Sequence, residues 1–143
     1  MKSLIKRVNL RFILVVLCMI LVITAVTIYF LFRVTESQVI VHKLIDFQEV
    51  MPNSELVIKD KETIKQFTYA VRFADKQPGE VDISAPPYQF TLGDKQYYLW
   101  VSEQFGLGTL MKPPNTATIY TIDESRTRRL LDILNNAYSI RLP

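Results

Sequence analysis

The chain has 143 residues, with 17 Lys/Arg against 14 Asp/Glu, one histidine, one cysteine and one tryptophan. That length holds one ordinary domain. The five basic residues up to Arg33 meet no acid, and the 12 that follow are outnumbered by 14 acids, so no basic stripe remains for phosphates and a nucleic-acid partner is excluded.

Residues 1–11 are a basic N-terminus carrying Lys2, Lys6, Arg7 and Arg11. Phe12 to Phe32 then run for 21 residues without a charge, enough at about 1.5 Å per residue to cross about 30 Å of hydrocarbon. A soluble core helix is rarely apolar on every face over such a length. A cleaved signal peptide has a shorter apolar core and a small-x-small exit, whereas the exit here is Ile28-Tyr29-Phe30-Leu31-Phe32. Cys18 follows the bulky Leu17 and lies inside the run, which argues against a lipid-modified cysteine. The expectation is a retained single-pass helix over 12–32 in the lipid bilayer of the cell membrane, N-terminus cytoplasmic by the positive-inside rule. A short linker, 33–38, and an extracytoplasmic domain, 39–143, follow.

In that domain Val39 to Phe47 is β-branched enough for a strand, Met51-Pro52-Asn53-Ser54 is a turn, and Glu55 to Lys59 is a second extended piece. Asp60 is a predicted N-cap for a helix over 61–74, whose apolar face is Ile64, Phe67, Val71 and Ala74, and Gln77-Pro78-Gly79 ends it. Strands are then predicted at Tyr88–Leu92, Gln96–Ser102, Leu107–Met111 and Thr116–Thr121. They are separated by a Gly93-Asp94-Lys95 turn, a loop bearing Gly106 and Gly108, and a Pro113-Pro114-Asn115 turn. Thr121-Ile122-Asp123-Glu124 fits a capping box with Thr121 as N-cap of a last helix to Tyr138, buried through Leu130, Leu134 and Ala137. The fold class is α+β: an N-terminal transmembrane helix followed by a small antiparallel sheet with two helices packed on one face.

Alternation puts Tyr88, Phe90, Leu92, Tyr97, Leu99, Val101, Ala117 and Ile119 on the helix-covered face. The other face then carries Tyr98, Trp100 and Tyr120 among polar neighbours, a candidate interaction face. The same aromatics also suit packing under the first strand or the tail Ser139 to Pro143.

Reactive groups are sparse. His42 is the single histidine, the domain has no cysteine, and no Gly-x-Ser-x-Gly elbow occurs, so no catalytic triad or zinc site can be drawn from recognised parts and no cofactor is called for. Carboxylates remain: Glu80 and Asp82, or Asp123, Glu124 and Asp132, as an acid/base pair or calcium ligands. No EF-hand loop is present, and acids at a helix start serve as caps. Gly106-Leu107-Gly108 is too short for a phosphate loop. Arg126, Arg128 and Arg129 fit a solvated helix face, or contact with anionic headgroups or wall polymers.

Several local patterns resemble one small family. Asp60-Lys61-Glu62, Pro78-Gly79-Glu80-Val81-Asp82, Pro87-Tyr88, Tyr98-Leu99-Trp100-Val101, Gly108-Thr109-Leu110-Met111 and Thr118-Ile119-Tyr120-Thr121-Ile122 are similar to the YhfM-like domain of membrane-attached proteins in Bacillus-type Gram-positive bacteria. The resemblance runs from Val39 to Ala137 and implies an extracytoplasmic accessory domain without established activity. It also implies relatives anchored through a lipidated cysteine, a pattern from which Cys18 departs. The expected function is a non-enzymatic interaction or sensing module with an envelope protein as partner. The alternatives are an envelope enzyme using carboxylates, testable by whether Asp82 and Asp123 converge in a pocket, and a structural subunit.

Overall fold

The computed structural model describes residues 2–78 and 83–141. Two compact units divide after Arg33. The first is one helix, α1 (Lys2–Phe32), whose segment Asn9–Phe32 has mean hydropathy 2.9 and no buried residue, so it is long and apolar enough to cross a membrane. Its two threonines turn their hydroxyls back onto the helix, Thr24 to the Ile20 carbonyl and Thr27 to that of Ile23, each at 2.8 Å. Neither hydroxyl then needs a partner outside the helix, as hydrocarbon requires.

The second unit is α+β. Its strands are β1 (Val39–Asp46), β2 (Glu49–Val50), β3 (Leu56–Ile58), β4 (Asp75–Lys76), β5 (Tyr88–Leu92), β6 (Lys95–Ser102), β7 (Phe105–Lys112) and β8 (Asn115–Ile122). Two helices, α2 (Lys61–Arg72) and α3 (Glu124–Ser139), interrupt and close them. The sheet is antiparallel in the order β2-β1-β5-β6-β7-β8-β4, with β3 also paired to β1. The central β5–β8 meander is the expected one. Gly93, at φ 65° in the two-residue β5–β6 turn, supplies the positive φ that such hairpins need.

One face of the sheet meets both helices. Val39, Val41, Phe90, Tyr97, Leu99, Leu110 and Ile122 pack there against Ile64, Phe67 and Ala70 of α2 and Leu130, Leu134 and Tyr138 of α3. The Phe67 and Phe90 rings meet edge-on at 5.0 Å, and Phe90 stacks on Tyr97 at 5.1 Å. Each buried apolar side chain contributes about 1.5–3 kcal/mol before conformational entropy is charged against it.

Four expectations give way to tertiary structure. The eighth strand has the opposite parity: Leu110 pairs with Tyr120, and Gly108 with Ile122, so Tyr120 and Ile122 face the helices while Ala117 and Ile119 do not. Both parities of that strand carry apolar residues, and its pairing with β7 selects one. Gly106 and Gly108 lie inside β7 rather than in a loop. Asp123, not Thr121, caps α3: Thr121 and Ile122 complete β8, and the Asp123 carboxylate accepts from Arg126 N at 3.0 Å. Finally, β2 and β4 are two-residue strands too short to register as an alternating pattern. Asp60 does cap α2, accepting from Thr63 N at 2.9 Å, and this bond first, then that from the Thr63 hydroxyl, holds its carboxyl below the usual range.

Two contacts fasten α3. The Gly108 N–H donates to Thr127 Oγ1 at 2.7 Å, and that hydroxyl donates on to the Asp123 carbonyl at 2.9 Å. A Cβ on Gly108 would stand 2.9 Å from Thr127 Oγ1 and 3.2 Å from Val101 Cγ1. Fifteen residues after its cap, the helix is held again where Tyr138 OH donates to the Ser54 carbonyl at 2.8 Å while its ring stacks on Tyr88. Burial, then the neighbouring Tyr88, pushes the Tyr138 phenol up to about 12, with Arg141 opposing.

Gly108→Ala is expected to cost about 1–3 kcal/mol in chemical unfolding of the full chain in micelles. Since the Tyr138 pKa is raised in the fold, its neutral form adds stability that is complete below about pH 10, the ordinary tyrosine value, and is lost as pH rises through about 12. Stability measured across that window should therefore fall in the wild type, and fall less steeply in Tyr138→Phe.

Candidate functional site

Alternation leaves Tyr98, Trp100, Thr109, Met111, Ile119 and Thr121 on the sheet face opposite the helices, since Tyr98 pairs with Met111, Met111 with Ile119, and Trp100 with Thr109. Tyr98 and Trp100 thus share a face as expected. Tyr120 does not join them: it packs against the helix-side core with Lys112 Nζ 4.0 Å from its ring centre. Burial, then the charge of Lys95, lowers the pKa of that lysine.

The aromatic pair is half-buried, and not under the first strand proper. The turn after β1 folds Phe47 onto it, with ring centres 5.6 Å from Tyr98 and 6.3 Å from Trp100. Tyr98 OH donates to the Phe47 carbonyl at 3.0 Å. Trp100 Nε1 donates to the Ser84 carbonyl at 2.9 Å, tying down the stretch that leads into β5, where Pro86 is fully buried. Leu44 and Met111 are buried on the same side, at 8% and 2% exposure. A second, smaller apolar layer therefore lies across the sheet from the main core, and both tyrosine and tryptophan have spent their polar atoms in building it.

Beside Trp100 a cleft of ≈ 280 Å³ opens between Ile83, Ser84 and Pro87 on one side and Leu107 and Thr109 on the other, with Trp100, Val101 and Ser102 completing it. Its described lining is uncharged. Three hydroxyls border it, and that of Ser102 is buried without a hydrogen-bond partner among the described residues. The cleft exists because β7 bulges. Trp100 pairs with Thr109 and Ser102 with Phe105, so the single residue Val101 on β6 faces three on β7, Gly106-Leu107-Gly108. Leu107 is consequently turned outward and is 56% exposed. Composition alone marked those glycines as a break, and only strand pairing shows the break to be a bulge that builds a site.

The other sequence candidates separate. Glu80 and Asp82 lie outside the described residues, as do Gly79 and Val81. Asp123 is occupied as the α3 cap and by Arg126; burial pushes its carboxyl up, but the hydrogen bonds from the Arg126 backbone and side chain, with its charge, bring it below the usual range. Glu124 pairs with Arg128 at 2.7 Å and borders shallow surface with Asp132. No group of three or more His, Cys, Asp or Glu able to hold a metal occurs among the described residues. His42, on β1, lies 4.0 Å from Glu55.

The model of the YhfM protein family matches residues 37–139. No curated protein matches the chain. Among solved structures, a thioesterase-like protein from Clostridium sporogenes superposes with TM-score 0.53 at 20% identity, over 68% of this chain and 93% of that one. At that identity the likeness is one of fold.

Tyr98→Phe removes the bond to Phe47 and is expected to cost about 1 kcal/mol. Amide exchange should quicken locally, over the hairpin residues 46–50, with the α2 and α3 amides unchanged.

Proposed function

The chain belongs to the YhfM protein family, and from that premise we propose that it is a membrane-tethered, extracytoplasmic interaction module whose binding face is the sheet surface around Trp100. The observation that carries this reading is the cleft beside Trp100, whose described lining is uncharged, whereas the clefts along α3 are bordered by Glu124, Arg128 and Asp132. A fixed aromatic wall, hydroxyls and an outward leucine are what a partner's apolar group can use, and a preorganised wall lowers the ordering cost of binding.

An apolar helix able to span a bilayer supports the tether, and the four basic residues ahead of it support a cytoplasmic N-terminus. The thioesterase-like neighbour raises acyl hydrolysis as a second reading. The described lining of the cleft supplies hydroxyls but no imidazole, thiol or carboxylate to activate a nucleophile, which favours binding over turnover.

Proximity labelling from the C-terminus of the intact protein in cells tests the module. Thr109→Lys places a charge on the uncharged face without touching the helix-side core. Reproducible labelling of one envelope protein by the wild type, reduced at least about tenfold in a Thr109→Lys variant that keeps wild-type protease resistance, is the expected result. The same neighbours labelled equally by both chains would sink the binding-face reading. A C-terminal tag resistant to protease added to intact cells with a permeable wall would sink the topology.

A further inference from the structure

We propose that the cleft at the β6–β7 bulge is a peptide-binding subsite that takes one apolar side chain and its adjoining peptide unit from an extended, uncharged segment of a partner protein. This deepens the binding-face reading above and rests on it. Four features on the page converge on that occupant.

The first is charge. None of the described residues bordering the cleft is ionisable, so a charged group placed against them finds no counter-ion. The second is size. At ≈ 280 Å³ the cleft lies at the lower edge of the range of about 300–1,000 Å³ typical of small-molecule pockets, which suits a single side chain with its backbone.

The third is main-chain chemistry. Val101 turns its side chain into the helix-side core, so what it presents to the cleft is backbone. Opposite it, the Gly108 N–H donates to Thr127, and three residues of β7 face one of β6. The regular ladder is broken at the one place where the cleft reaches the sheet, and a peptide unit carries both the donor and the acceptor that such a break can use. Ser102, with its hydroxyl unpartnered among the described residues, stands at the same break. The fourth is preorganisation. Trp100 is pinned through Nε1 to Ser84 and braced by Phe47, leaving its ring as a fixed apolar wall, with the exposed Leu107 at the mouth.

Trp100 is the chain's one tryptophan, so its fluorescence reports on this cleft alone. The test titrates the full chain, in lipid nanodiscs, with acetyl-Ala-Leu-Ala-amide, acetyl-Ala-Asp-Ala-amide and methyl decanoate. The leucine peptide is expected to shift the emission saturably with a dissociation constant below about 1 mM, and the aspartate peptide and the ester to bind at least about tenfold more weakly. Leu107→Lys, at a side chain outside the core, should weaken the leucine peptide about tenfold, and Leu107→Ser somewhat less. No saturable shift, equal response to the aspartate peptide, or unchanged affinity in both Leu107 variants overturns the proposal. A stronger response to methyl decanoate overturns it in favour of a neutral acyl ligand. Partner labelling in cells that depends on Thr109 while every peptide fails would leave the binding face standing and remove only the peptide.

Discussion

The bond from the Gly108 N–H to the hydroxyl of Thr127 is the contact on which the rest of the arrangement turns. It exists because Gly108 has no Cβ, which lets the first turn of α3 press onto β7 at a distance that any other residue would prevent. Beside that contact the register with β6 is lost, and Gly106-Leu107-Gly108 bulges against the single Val101. The same event seats a helix on one face and opens a cleft on the other. A glycine buried for packing and the exposed leucine beside it are thus parts of a single local geometry.

The two faces divide the work by chemistry. The helix side is an apolar core closed at one end by the Asp123 cap and at the other by Tyr138, which reaches across to the turn before β3. The opposite side is thinner, an aromatic layer whose polar atoms anchor loops: Tyr98 holds the Phe47 turn and Trp100 holds Ser84. Such a layer costs little to leave partly exposed, since its unsatisfied surface is aromatic and its hydrogen bonds are internal.

Much of this was legible in the residues. The charge-free run to Phe32, the first strand, the Asp60 cap and the β5–β8 meander all follow from local pattern, and the α+β class with two helices on one face followed from their order. The site was legible only in part. Tyr98 and Trp100 were correctly placed together because they alternate within one strand. Alternation alone puts Tyr120 on the wrong face because its parity depends on how β8 pairs with β7, and the glycines look like a loop because a bulge has no signature of its own in composition.

The sequence by itself determined what depends on neighbours along the chain: an apolar helix, strand alternation, caps and turns, each set within a few residues by periodicity and side-chain chemistry. Only the tertiary structure decided what depends on pairing across the chain, namely which side of β8 is buried, that β4 joins its edge, that Phe47 and Ser84 cover the aromatic pair, and that the bulge opposite Val101 makes a cleft. Register and bulges arise from contacts between strands far apart in sequence, and a shift of one residue there reverses every face without altering any local pattern.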